Sequence, residues 1–344
     1  LAAACLPLPA LAGTLRIATF DTDLSRKGPG LLLRDILKGE DEDIRAVIDV
    51  IATVRPDILH LMGIDHDLHS HALFALQEAL RRAGIDFPHA FTARPNAGLA
   101  TGLDMDGNGK LGEARDAQGY GRFTGDGGMA VLSRYPLGEV RDFTDFLWAD
   151  LPGAIPPRLG AGPFPSTQAF AAQRLSSVNH WDVQVMTPDG PLHVLAFNAT
   201  TPIYDGDEDR NGRRNHDEIA FWARYLDGDL PWPAPKAPVV ITGKANLDPF
   251  DGEGLHKAIA SLLADPRLQD PEPGSDGAAL AATPGHTGDP ALDTADFKDP
   301  FPGNLRLDYV LPSADLTITG AGTHWPAGTD TMRHHLVWVD ITFP

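Results

Sequence analysis

The sequence predicts an α/β protein in which two sheets pack together with helices outside them. Three observations predict it: apolar strand-like segments recur along the whole 344-residue chain, helical periodicities interrupt them, and no segment repeats at a fixed period. The chain opens as strand, helix, strand. Thr14 to Phe20 alternates apolar and polar residues, a Gly/Pro loop follows at Lys27 to Gly30, and Asp41 to Val54 sets Ile44, Val47, Ile48 and Ile51 at helical spacing. The apolar run Asp57 to Met62 then reads as a buried strand. His69 to Ala83 is helical in pattern, and a long Gly-rich loop runs from Asn96 to Gly128, a length more typical of a functional segment than of a connection.

The middle of the chain is sheet. Gly128 to Ser133 and Leu175 to Val185 read as strands on either side of a Pro-rich excursion, Leu151 to Pro165, and Pro191 to Asn198 supplies another. Arg214 to Leu226 is helical in pattern, Val239 to Thr242 is a short buried strand, and Gly254 to Leu263 is a helix ahead of a Pro/Gly/Ala-rich stretch, Asp270 to Pro302. Leu305 to Leu311 and Leu336 to Ile341 close the chain as strands. No linker composition divides it, so residues 14–344 are expected to form one domain.

With 42% hydrophobic and 22% charged residues the chain has the material for a sizeable core. Its 28 Lys and Arg stand against 47 Asp and Glu, a net charge of -19, which repels the phosphate backbone that a nucleic-acid binder must neutralise. High-affinity nucleic-acid binding is not expected; an acidic surface also serves plain solubility. Residues 1–13, LAAACLPLPALAG, end in Ala10-Leu11-Ala12, the small-x-small form of a signal-peptide cleavage site. A signal-peptide remnant and a secreted or periplasmic location are the expectation, with an apolar first strand as the alternative. Cys5 is the sole cysteine and falls in this leader, so residues 14–344 offer no disulfide or thiol chemistry, and lipidation at Cys5 is a minor alternative to cleavage. No segment approaches the roughly 20 apolar residues that spanning requires. A monomer without a membrane span is expected.

The sharpest local pattern is Asp207 to Glu218, which fits the calcium-loop template D-x-D-x-N-G-x5-E. Asp207, Asp209, Asn211, the Arg213 backbone carbonyl and Glu218 would wrap Ca²⁺ in oxygen, with Gly212 permitting the turn. The competing reading is an acidic loop pinned by Arg210, Arg213 and Arg214. A second loop, Asp104-Met105-Asp106-Gly107-Asn108-Gly109, begins the same way, but its twelfth position is Arg115. Asp116 or Glu113 would have to complete that shell; otherwise the loop is a hydrated Gly-rich turn. His60, His66, His69 and His71 lack the paired spacing of a zinc protease and read as solvated or structural. Neither a G-x-S-x-G elbow nor a G-x-x-x-x-G-K loop is present.

Seven segments in order carry a resemblance. LRIATFD at Leu15, RPDILHLMGID at Arg55, GGMAVLSRYPL at Gly127, HVLAFNATTP at His193, VVITGKANLDP at Val239, LRLDYVLPS at Leu305 and RHHLVWVDI at Arg333 together resemble the endonuclease/exonuclease/phosphatase family of DNase I-like enzymes. The resemblance implies a four-layered α/β sandwich, two mixed or antiparallel sheets flanked by helices. It also implies phosphoester hydrolysis assisted by a divalent metal, Mg²⁺ or Mn²⁺, in a cleft, acting on a phosphate-containing small molecule or another ligand.

Carried over residue by residue, the resemblance finds Asn246, Asp308 and His334 matching outright. Asp21 stands for an Asn on the first strand, the metal-binding Glu falls at Gly63, and Asp65 is a nearby substitute. The first catalytic His maps to Asn198, the catalytic Asp of G-D-x-N to Lys244, and the Asp of S-D-H to Arg333. An amide cannot deliver a proton and a Lys reverses the local charge, although its ammonium can contact a phosphate. Arg174, His180 and His216 are further candidates for phosphate contact or acid/base replacement by residue type alone. Two functions follow: a metal-dependent phosphoesterase with a remodelled site, or an inactive relative kept as a calcium-stabilised module that binds an anion or partner through Lys244 and Arg333.

Overall fold

The alternation that makes the first segment a strand also decides which of its side chains meet. In Leu15–Asp21, Leu15 and Ile17 join one apolar cluster while Ala18 and Phe20 join another, so Asp21 continues the Leu15, Ile17, Thr19 row. The same rule repeats through the strands and assembles the site described below.

The computed structural model describes residues 13–160, 162–327 and 332–344; the apolar leader with Cys5, on which export and lipidation rest, lies outside them. The strands are β1 Leu15–Asp21, β2 Ile58–Ile64, β3 His89–Phe91, β4 Gly128–Ser133, β5 Leu137–Asp142, β6 Arg158–Leu159, β7 Gly162–Pro163, β8 His180–Thr187, β9 Gly190–Asn198, β10 Val239–Lys244, β11 Asp308–Pro312, β12 Thr317–His324 and β13 Leu336–Thr342. One sheet has the order β12-β13-β1-β2-β4-β3 and the other β11-β10-β9-β8-β5, with β6 and β7 forming a separate pair. At the centre of each sheet two strands run parallel, β1 with β2 and β9 with β10, and antiparallel strands flank them.

The helices are α1 Leu31–Lys38, α2 Glu42–Val54, α3 His71–Arg82, α4 Thr167–Ala172, α5 Arg210–Asp227, α6 Lys257–Leu263 and α7 Asp276–Leu280. Ile44, Val47 and Ile51 of α2 and Leu73, Leu76 and Leu80 of α3 pack on the outer face of the first sheet against Phe20, Leu59 and Leu61. Ile219, Phe221, Trp222 and Tyr225 of α5 and Ile259 of α6 do the same for the second, against Phe197, Ile241 and Leu311. Between the sheets lie Ile17, Met62 and Val131 from one and Trp181, Val194, Val240 and Val310 from the other. Helix, sheet, sheet, helix are the four layers expected. The structure adds three edge strands, β3, β5 and β12, and the sequences of the last two, LGEVRD and TITGAGTH, carry charge or glycine instead of an apolar period. It also starts β8 at His180 rather than Leu175, because the Leu175 N–H bonds Phe146 and the Ser177 N–H bonds Glu218.

The calcium loop expected at Asp207 to Glu218 does not form. α5 begins at Arg210, so Asn211 and Glu218 rise along a helix axis, about 10 Å apart at 1.5 Å per residue, and cannot encircle one ion. Asn211 donates to Ile203 O at 2.7 Å, and Asp209 pairs with Arg213 at 3.8 Å. Glu218 is fully buried and accepts the N–H groups of Ser177 at 2.5 Å and Thr200 at 2.7 Å, which ties α5 to the open end of the β8–β9 hairpin. Burial pushes its carboxyl up to about 7, against the opposing pull of Arg214 and those N–H groups. The residue is a core acceptor. Glu218→Gln therefore leaves one N–H facing an amide and is expected to cost about 1–3 kcal/mol in urea unfolding, while Asp207→Asn leaves stability unchanged; equal, calcium-dependent losses would restore the loop reading.

Candidate active centre

Alternation delivers four polar side chains to the gap between the sheets at one end. Asp21 ends the Leu15, Ile17, Thr19 row, Lys244 follows Val240 and Thr242, Asn198 follows Val194 and Ala196, and Asp308 precedes Val310. Register then makes Lys244 the cross-strand neighbour of both Asn198 and Asp308. His334 enters just before β13, through a bridge between His334 and Ala295.

The Lys244 ammonium bonds Asp21 Oδ2 directly, and both side chains are largely withdrawn from water. Burial alone would raise the Asp21 carboxyl, but Lys244 and then His334 hold it well below the ordinary carboxylate range. Burial likewise opposes the charge on Lys244, yet Asp21, then Asp308 and Asp23, hold its ammonium above the usual value. The two are an ion pair.

His334 sits beside them, its Nε2 3.8 Å from Asp21 Oδ2 and its Nδ1 3.1 Å from Asp308 Oδ2. A carboxylate only accepts, so Nδ1 carries a proton toward Asp308, and Nε2 faces the ion pair. Thr294 fixes Asp308 in turn, its hydroxyl donating to Asp308 Oδ2 at 3.0 Å while accepting the N–H groups of Leu307 and Asp308. Phe297 closes the side of His334 with an edge-on ring at 5.8 Å. Asn246 adopts a left-handed φ of 52° and donates to Ala199 O at 2.8 Å, beside the end of β9. Arg333, more than half exposed, pairs with Asp23 at 3.3 Å at the mouth. Thr294 and Phe297 lie in the Pro/Gly/Ala-rich stretch and carried no sequence signal.

A divalent ion does not fit this centre. At Gly63, where β2 bulges with φ 67°, an added Cβ would overlap Asp21 Oδ1, so no side chain can reach in from there. Lys244 occupies one oxygen of Asp21, and His334 with Thr294 occupies one of Asp308. Of the Asp21 and Asp308 carboxylate oxygens only Asp308 Oδ1 is without a hydrogen bond, where a hard cation takes about six oxygen ligands.

Two sequence candidates belong elsewhere. The bulge redirects the chain after Met62, and Asp65 holds the neighbouring loop by accepting Ser25 Oγ at 2.7 Å, Arg26 N at 3.0 Å and Gly127 N at 3.3 Å. It is not a substitute metal ligand. His180 precedes Trp181 on β8 and so faces α5, stacked on Trp222 and bonded to Glu218 O at 3.0 Å and Ser176 Oγ at 3.0 Å. Burial pulls it down to about 4, and it is a neutral core residue. Arg174 contacts Asp145 and Asn96, and His216 contacts Asp217 at 2.9 Å.

The second acidic loop is built as a cradle. Asp104 accepts Gly107 N at 2.7 Å and Gly109 N at 2.8 Å, and Asn108 bonds Asp106 and Glu113. Asp116 accepts Met105 N at 2.9 Å and brings its carboxylate to within 4.8 Å of those of Asp104 and Asp106. Among the described residues this is the group of three that can hold a cation, and Asp116 replaces the Arg115 of the template position.

The chain belongs to the endonuclease/exonuclease/phosphatase family, whose model matches residues 36–332. Among solved structures it is similar to an endonuclease/exonuclease/phosphatase from Beutenbergia cavernae (16% identity, 96% of this chain and 72% of that one, TM-score 0.56). It is similar too to sphingomyelinase C from Streptomyces griseocarneus (17%, 95% and 99%, 0.51) and to D. rerio TDP2 complexed with a single-strand DNA product (13%, 96% and 99%, 0.51). At these identities the likeness is one of fold. No curated protein matches the chain.

Removing one partner of a buried pair strands the other charge, so Lys244→Ala is expected to cost about 3–5 kcal/mol by chemical unfolding, with Asp21→Asn/Lys244→Met recovering most of it. The depressed Asp21 contributes stability above its unfolded pKa of about 4, and that contribution fades as pH falls toward the folded value. The wild type should lose stability below about pH 4 more steeply than the double variant; parallel acid profiles would contradict the ion pair.

Proposed function

We propose that this chain is a family member that binds a phosphate-bearing ligand at the Lys244 centre without hydrolysing it through a divalent ion. The observation that carries the reading is the Lys244–Asp21 ion pair, which sets a fixed positive charge beside His334, Asn198 and Asn246. A phosphate oxygen would compete with Asp21 for the ammonium, with Arg333 as a second cation at the mouth. Hydrolysis would need more. In-line attack requires a polarised phosphoryl group and an activated water, and neither an ammonium held on Asp21 nor the Asn198 amide removes a proton from water.

A second reading, hydrolysis by a remodelled site, is favoured by one observation, the intact His334–Asp308 pair. The two separate cleanly. The first predicts no turnover of bis(p-nitrophenyl) phosphate with Mg²⁺, Mn²⁺ or Ca²⁺, a rise in melting temperature with millimolar phosphate, and loss of that rise in Lys244→Ala. Metal-dependent turnover that disappears in His334→Ala would overturn it.

Ca²⁺ would sit at the Asp104, Asp106 and Asp116 cradle, where Asn108 bonds Asp106 and Glu113, and Ala10-Leu11-Ala12 supports export to a secreted or periplasmic location. Calcium should then raise the melting temperature of the wild type and not of Asp104→Asn/Asp106→Asn; an equal rise in both would remove calcium from the loop.

A further inference from the structure

A cleft of about 970 Å³ opens beside this centre, its wall starting at Thr200, two residues after Asn198. The acidic loop, Tyr120, and Arg210 and Asn211 of the first turn of α5 also line it. Packing accounts for some of the lining. Arg214 is held by the backbone, Nε donating to Leu175 O at 2.8 Å and Nη2 to the carbonyls of Gln118, Arg174 and Ser176.

Three other residues are not accounted for in this way. Arg210 is largely withdrawn from water, donates to Gln173 Oε1 at 2.8 Å, and among the described residues has no carboxylate at ion-pair distance. Tyr120 and Tyr204 line the same cleft with 63% and 76% of their surface exposed. Tyr204 also holds a left-handed φ of 72°, a backbone conformation that bulky residues seldom adopt without a local purpose.

We propose that this cleft binds a phosphate monoester carrying a flat ring, with the phosphate on Arg210 and the ring against Tyr120 and Tyr204. The guanidinium fork matches two phosphate oxygens. Exposed tyrosine rings supply stacking faces that need no sequence-specific partner. Asp205 and Glu208 also line the cleft and repel additional negative charge, which selects a singly phosphorylated ligand over a polyphosphate or a nucleic-acid strand. None of the Lys244 centre's residues lines the cleft, and the site does not require them.

Isothermal titration with adenosine 5′-monophosphate, inorganic phosphate, adenosine and adenosine triphosphate tests it. The monophosphate should bind at least about tenfold more tightly than the other three, since each lacks the ring, lacks the phosphate or carries surplus charge. Arg210→Gln should weaken it about tenfold or more, with Arg210→Lys between the two because it keeps the charge and loses the fork. Tyr120→Ala and Tyr204→Gly should weaken it about five- to tenfold without lowering the melting temperature. Lys244→Ala should leave this affinity intact while removing the phosphate response assigned to the central site, so the two proposals fail separately. Monophosphate binding no tighter than that of inorganic phosphate, indifference to both tyrosine substitutions, or no heat with any probe would overturn the cleft assignment.

Discussion

One buried ion pair, Lys244 on Asp21, constrains the rest of the centre. An ammonium withdrawn from water is costly unless a carboxylate meets it, and a carboxylate in the same place is costly unless a cation does. Each residue therefore fixes the ionisation of the other, and together they occupy the space at the end of the sandwich. Gly63 belongs to the same constraint, because its missing side chain leaves room for Asp21 Oδ1. His334 and Asp308 keep their own pairing next to this arrangement, so the centre retains a proton-bearing dyad beside a fixed cation.

The scaffold does this with little specialised machinery. Period-2 alternation sends Asp21, Asn198, Lys244 and Asp308 into the gap between the sheets, and apolar rows from Ile17, Val194, Val240 and Val310 lead up to them. The four layers then exclude water from the charges. Glu218 performs a related task on the outer side of the second sheet, where it ties α5 to the backbone at Ser177 and Thr200.

Much of this was legible in the sequence, and the failures have physical causes. Strands with an apolar period, such as β1, β9 and β10, declared themselves; the edge strands β5 and β12 did not, because half-exposed strands tolerate charge and glycine. The substitutions at Gly63, Asn198, Lys244 and Arg333 became visible only through the family resemblance of the segments that carry them, and three of the four converge with Asp21 and His334. His180 was misassigned by residue type, although its place before Trp181 on an alternating strand already set it on the opposite face. Asp65 was misassigned because a bulge at Gly63 changes the face count, and a left-handed glycine inside an apolar strand leaves no mark beyond the glycine itself. The calcium template at Asp207 failed because the spacing of its polar residues also suits a helix that buries Glu218. Thr294, which positions Asp308, lay in a stretch without periodicity.

The central claim is that a side-chain ammonium occupies the place of a divalent ion. Anomalous diffraction from crystals grown in manganese tests it most directly. The account predicts no anomalous peak among Asp21, Asp308 and His334, with Lys244 still on Asp21. A manganese peak bridging Asp21 and Asp308, with Lys244 displaced, would contradict it.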